Sequence, residues 1–463
     1  MEMGSGKIVI LGAGVTGLVL AGRLAQAHGD RVVVIEQEGL LGGLAATLSR
    51  QGFFYDLGSH RLHPDNLPRA DRYIRGKLKI KLLRRPRRGA LSFQGRFLDY
   101  PPRFGNFFRS LPFQEASAIF ASYWRRRAAS PGEPANYEEL MIRTVGRRLY
   151  QLFYRDFAEK LWGLPADRIA LDGIKRRRTF LDPNALWRML SGAARHFYYP
   201  QAGIGEITAK LAQDALARGA VILKSSKVTG LQRIGNRITG VSFIGPGGRP
   251  DTFAAQQVFS TIAVDDLYAL VYGRGGPAGS LQWRDLRIAY FHVDQGLKDR
   301  RETFYFPSLG LKIGRVSQMN RYSPFLNPDA GKVVLTVEVP LSEQDSLWRM
   351  PDDEFLRFCL DELNKVKIIQ EPFSADPVFA LSLKKAYPVY ALGWREKFSA
   401  MYTELNRLEN LYALGRKGLF LHCNIDQCMV QALSCADFIL AGGRDKTVWD
   451  KQVADFLLFS ARD

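Results

Sequence analysis

The stretch KIVILGAGVTGLVLAGRLAQAHGDRVVVIEQ, residues 7–37, constrains this chain more than any other. Lys7–Leu11 is a short apolar run, as expected of a strand buried on both faces. Gly12, Gly14 and Gly17 follow as G-x-G-x-x-G, with Val15 and Thr16 opening a helix. The first glycine permits a tight turn, the second lets backbone approach a pyrophosphate, and the third lets the helix pack closely on the strand. The helix N-terminus offers unpaired N–H groups and a positive dipole end to phosphates. Arg31–Glu36 reads as a second strand, and its terminal carboxylate can bind ribose hydroxyls. Strand, glycine turn, helix, strand and acid together predict a dinucleotide site on an α/β fold.

Gly42 and Gly43 follow the second strand, and then comes GFFYDLGSHRLHPDN, residues 52–66. An acid, a glycine pair and a strand ending in D-x-G, here Glu36, Gly42–Gly43 and Asp56-Leu57-Gly58, resemble the FAD-binding amine oxidase superfamily. That group includes protoporphyrinogen oxidases, phytoene desaturase-like enzymes and UDP-galactopyranose mutases. The resemblance implies FAD, with Glu36 and Gln37 at its ribose. It lays Gly42, Gly43, Leu44, Gly58, Ser59 and His60 along the cofactor.

Two later stretches resemble the segments by which this superfamily returns to its cofactor domain. In residues 197–232, Val228 matches a position whose backbone meets the adenine end; residues 257–267 read as a further buried strand. NLYALGRKGLFLHCNIDQCMVQALSCADFIL, residues 410–440, resembles the closing flavin motif, with Gly415 after a strand and Asp426, Gln427 and Cys428 opening a helix. Such an N-terminus would stabilise negative charge on a reduced flavin. The acid usual after that glycine is Arg416 here. Cys423 and Cys428 are read as packing thiols, with covalent flavin attachment as the alternative.

The expected fold is α/β. A discontinuous Rossmann-like FAD domain is assembled from residues 1–68, 201–270 and 395–463, a helical basic domain is inserted at 69–200, and a smaller substrate-side sheet covers 271–394. Residues 69–200 hold 28 Lys and Arg against 11 Asp and Glu, so 17 of the chain's net +19 charges lie there. A field this local fits an anionic or lipid-like substrate or an anionic membrane surface. FGNFFRSLPF and YWRRR mix aromatics with arginine, as interfacial segments do. No zinc-finger spacing or RNA-binding aromatic signature accompanies the charge, which argues against nucleic acid. No run is long and apolar enough to span a membrane, no leader pattern opens the chain, and the four cysteines have no metal or disulfide spacing. The expectation is a cytoplasmic protein with reduced thiols and no metal, with the inner membrane face as a peripheral site.

Catalytic candidates come mainly from the resemblance. His60 in GSHRLHPDN matches a G-x-H-x-x-H stretch of the sugar mutases, and Arg315 an arginine of that branch. The Glu and Lys that often follow it are Gln318 and Asn320 here. Lys384 or Lys385 would approach the flavin through water, and Tyr387 and Tyr390 would line the substrate side. These readings favour an FAD-dependent oxidoreductase that takes a hydride from its substrate. A non-redox nucleotide-sugar mutase and a flavin-binding protein without turnover are the alternatives.

Overall fold

Strand β1, Lys7–Leu11, carries almost no side chain that water touches, and it pairs in parallel on both sides. Its partners are β2, Val32–Ile35, and the far half of a much later strand. This computed structural model describes residues 6–63, 67–100, 111–125, 132–171, 196–294, 299–327, 331–368 and 375–459. Most of FGNFFRSLPF, Arg126, Arg127 and the KRRR run at 175–178 lie outside them.

Helix α1, Val15–His28, crosses from β1 to β2, its buried face made of Val15, Leu18, Val19, Leu20, Leu24 and Ala25. The hairpin β3, Thr47–Arg50, and β4, Phe53–Asp56, follows. The region from 69 to 200, expected to be helical, also carries strands: β5, Leu82–Pro86, β6, Gly89–Phe93, β7, Arg96–Tyr100, and β8, His196–Pro200. Gln94 and Gly95, both at positive φ, close β6 onto β7 as a two-residue hairpin turn. The helices here are α2, Phe113–Arg125, α3, Tyr137–Val145, and α4, Arg155–Trp162. Helix α3 ends at Gly146, whose φ of 84° no helix tolerates.

Helix α5, Gly205–Ala217, leads to β9, Val221–Leu223, which adds to β2 in parallel. Strands β10, Lys227–Ile234, β11, Arg237–Ile244, and β12, Pro250–Ser260, form a meander. The exposed first half of β12 pairs antiparallel with β11. Its buried second half, ending Val258-Phe259-Ser260, pairs in parallel with β1 and with β18, Leu411–Ala413. One sheet, in the order β10-β11-β12-β1-β2-β9 with β18 beside β12, thus draws on residues 7–35, 221–260 and 411–413.

A second seven-stranded sheet has the order β17-β13-β16-β15-β14-β6-β7. Its members are β13, Gln282–Asp294, β14, Thr303–Tyr305, β15, Arg315–Gln318, β16, Lys332–Leu341, and β17, Ala375–Val389, with the β6–β7 hairpin on its edge. The register of β17 against β13 slips between Arg284 and Leu286, and Lys385 takes a positive φ of 53° at that bulge. The last long helix used below is α6, Ile425–Leu440.

Candidate functional site

Gly12 sits at φ 96° in the turn after β1, and its N–H donates to Ile35 O at 2.9 Å. A Cβ on Gly17 would stand 2.0 Å from Gly12 O, so close approach of helix and strand demands glycine there. Gly14 differs. A Cβ on it would meet only Gly42 O, at 4.0 Å, so the protein's own packing leaves that space open. Gly42 and Gly43, at φ 116° and 55°, lie directly against this turn, with Gly42 N–H donating to Ala13 O at 2.9 Å.

Glu36 is buried and braces the same turn. Its Oε2 accepts from Ala13 N–H at 2.7 Å and its Oε1 from Glu38 N–H at 2.9 Å. Each carboxylate oxygen has a further lone pair for a ribose hydroxyl. Val15 and Thr16 are buried in the first turn of α1, and Leu44 packs against the core. Gln37 instead turns outward, its amide on Glu38 Oε1 at 3.1 Å. Val228 lies on β10 two residues past Ser226, whose N–H donates to Glu36 O at 2.8 Å.

The D-x-G turn is fixed by Asp56. Its carboxylate accepts from Thr47 Oγ1 at 2.6 Å, from the Tyr199 hydroxyl and from Ile204 N–H at 3.1 Å. Complete burial pushes that carboxyl up to about 6, against the hydrogen bonds, which favour the charged form. Beyond the turn, Ser59 donates through its N–H and its hydroxyl to Glu338 Oε1, at 3.0 and 3.2 Å. Glu338 holds Arg315 by two contacts, Nε to Oε1 at 2.9 Å and Nη2 to Oε2 at 2.6 Å. His60 donates through Nε2 to Leu57 O at 3.3 Å; burial, then the Arg315 charge, lower its pKa to about 4, so the ring is neutral at pH 7.

The closing segment comes to the same place. Gly415, at φ 84°, donates its N–H to Gln431 Oε1 at 2.8 Å, and a Cβ there would press on Thr16 Oγ1 at 2.9 Å. Arg416 lies over the Tyr387 ring at 5.1 Å and donates to Ala386 O and Cys423 O. Tyr387 stacks on His422, and Tyr390 is buried, with its hydroxyl accepting from His422 N–H at 2.8 Å. Asp426, Gln427 and Cys428 are buried in the first turns of α6.

The β17 lysines and Gln318 find partners of their own. Lys384 is largely exposed and pairs with Glu343 at 2.7 Å, and Lys385 is held by Asp265 and Asp266 at 2.9 and 2.7 Å. At the bulge in β17 neither amine is directed at the cluster around His60. Gln318 also points away, its amide donating to Asp299 O at 2.9 Å and Arg301 O at 2.6 Å. The acid in this cluster is Glu338, which the sequence reading missed. Its signal was a single carboxylate inside the otherwise uncharged VVLTVEVPL. Arg61, beside His60, was missed too; it forms a buried pair with Glu302 at 3.1 Å and donates to Tyr305 and Thr303. Among the described residues, no group of three His, Cys, Asp or Glu could hold a metal, and no helix is long and apolar enough to cross a membrane.

A glycine turn with open space at Gly14, a buried acid at the end of β2 and a helix N-terminus arriving from a distant segment together frame a dinucleotide-binding site. The sequence profile of the flavin containing amine oxidoreductase family matches residues 15–437, and the chain belongs to that family. Its cofactor is FAD. The UDP-galactopyranose mutase of Mycoplasma pneumoniae is 23% identical over 456 residues, covering 93% of this chain and 96% of that protein. Among solved structures, a reduced UDP-galactopyranose mutase superposes with a TM-score of 0.78 at 21% identity, over 98% of this chain and 99% of the other. A putative protoporphyrinogen oxidase from Exiguobacterium sp. 255-15 gives 0.71 at 16% identity, over 95% and 99%. At such identities the structural likeness establishes the fold.

Proposed function

We propose that this protein is a non-redox flavoenzyme that rearranges a sugar carried on a nucleoside diphosphate. The observation that carries the reading is the Arg315–Glu338 pair beside His60. Glu338 occupies Nε and Nη2 of Arg315, which leaves Nη1 for an anionic ligand. Reduced FAD supplies a nucleophile for the anomeric carbon when bound. Glu338 offsets the charge of Arg315, so Arg416 gives the cluster its net positive charge; neutral His60 adds none, and Glu338, held by Ser59, fixes the direction of Arg315. Such preorganised donors hold a diphosphate without reorganising as charge develops on it. The full-length likeness to UDP-galactopyranose mutases supports the same reading. Gln318 and Asn320, where an acid and a lysine were expected, weigh less than the sequence implied, because the Gln318 amide is engaged elsewhere.

A hydride-accepting oxidase is the second reading, favoured by the likeness to the putative protoporphyrinogen oxidase. The two require opposite starting states of FAD, and that separates them. Dithionite-reduced protein is offered UDP-galactopyranose, and the furanose form is sought by chromatography. Conversion is expected. Bleaching of oxidised protein by a lipid or amine, with no furanose formed from UDP-galactopyranose by reduced protein, would overturn the proposal.

The basic region is the proposed contact with an anionic membrane surface. Helix α2 leaves Phe113, Phe120 and Trp124 exposed at 86%, 52% and 67%, three large aromatics at helical spacing followed by Arg125.

A further inference from the structure

Helix α6 opens with a capping box. The Asn424 side chain receives a backbone N–H from Gln427, and Gln427 Oε1 accepts Asn424 N–H at 2.9 Å. In such an N-terminus the residue before the cap and the fourth helical residue come together as a hydrophobic staple. Here those residues are Cys423 and Cys428. Their sulfurs stand 3.5 Å apart, and both side chains are buried. A staple needs only apolar bulk. Two thiols at this separation can also lose two hydrogens and draw together to a bond of about 2 Å.

Their surroundings belong to the cofactor site. Cys428 meets Thr16, in the first turn of the helix that follows the glycine turn, and lies near the positive Arg416. Arg416 Nη1 donates to Cys423 O at 2.8 Å. Gln431 approaches Cys423 Sγ at 3.8 Å through Nε2, and its other end accepts Gly415 N–H. The two sulfurs are unlike. The hydrogen bond with Cys428, then burial, raises the Cys423 thiol. The hydrogen bond from Cys423, Thr16 and the Arg416 charge lower the Cys428 thiol. The two thiols are thus pushed in opposite directions, Cys428 down against its burial and Cys423 up, the asymmetry that dithiol redox pairs use.

We propose that Cys423 and Cys428 are a redox-active dithiol that exchanges an electron pair with the bound FAD. In the forward direction both S–H bonds are given up and one S–S bond forms. Two electrons and one proton pass to the oxidised flavin, and the second proton goes to solvent. In the reverse direction two electrons and one proton return from the reduced flavin, the other proton comes from solvent, and both S–H bonds are restored. The inference rests on FAD and not on the substrate. In the nucleotide-sugar reading it gives the protein a route to the reduced flavin that the reaction requires.

The test is an anaerobic dithionite titration of the air-oxidised holoenzyme, following flavin absorbance. Cysteines are alkylated in denaturant before and after and located by mass spectrometry. The wild type should take up about four electrons per FAD, since flavin and disulfide are each two-electron couples, and Cys423→Ser about two. Cys435→Ser, which removes a buried cysteine away from the pair, should stay at about four. Cys423 and Cys428 should be unlabelled before reduction and both labelled after it. Two electrons per FAD in the wild type, with both cysteines labelled throughout, would overturn the proposal. So would a disulfide that survives complete flavin reduction. The wild-type readouts decide the matter even if Cys423→Ser binds FAD poorly, and Cys428→Ala repeats the count from the other side. Neither readout uses a substrate, so failure of sugar rearrangement and failure of the dithiol are told apart.

Discussion

Arg315 and Glu338 are direct partners across β15 and β16, and their side chains close the same register with two charge-assisted hydrogen bonds. The pair is thus set by the sheet before any ligand arrives. Replacing Glu338 by Ala would leave an arginine and a serine N–H without their acceptor. The expected loss of stability is about 3 kcal/mol, the low end for removing one partner of a buried pair, because the Arg315 side chain is 23% exposed. Denaturant midpoints of wild type and Glu338→Ala measure it, and equal midpoints would contradict the assignment.

Gly14 and Gly17 should fail in different ways. Gly14→Val has room in the protein but fills the space a pyrophosphate needs, so a folded, colourless protein is expected. Gly17→Val drives a side chain into Gly12 O and should cost the fold itself. Far-UV circular dichroism and flavin absorbance, read together, distinguish the two outcomes.

Asp56 and His60 give opposite pH dependences. The folded pKa of Asp56, about 6, lies above its ordinary value, so the folded state binds the extra proton and Asp56 lowers stability as pH rises from about 4 to 6. The folded pKa of His60, about 4, lies below its ordinary value, so the unfolded state binds the extra proton and His60 lowers stability as pH falls from about 6.5 to 4. The stability of Asp56→Asn relative to wild type should therefore rise with pH across this window. That of His60→Gln should fall. Urea titrations at half-unit pH steps check both signs.

Helix α2 should carry the protein to anionic vesicles. Co-sedimentation should decline with salt, because the Debye length shrinks to about 3 Å at 1 M. Trp124→Ser should weaken it at any salt, since the indole is exposed and has apolar area to bury. Equal binding to neutral vesicles would refute the electrostatic part.

The cofactor frame was legible because its signal is local: two strands, a glycine turn and an acid lie within about thirty residues, and their spacing has few alternatives. Glu338 was not, because what gives it meaning is Ser59, 279 residues away in sequence. The partners of Lys384 and Lys385 were not legible for a different reason. Alternation along a strand assigns faces only while the register holds, and β17 slips at that point. The β6–β7 hairpin was lost among arginines, whose charge drew attention from the Gln94–Gly95 turn.

The parallel half of β12 is paired on one side by β1 and on the other by β18, a strand that ends at Ala413. Helix α6, which carries Cys428 toward Thr16, comes later still. The glycine turn is therefore roofed by a helix that lies some four hundred residues further along the chain and packs on the helix after the turn. Helix α1 and helix α6 thus meet across the site, and a cofactor bound there would tie together two segments that share no local sequence.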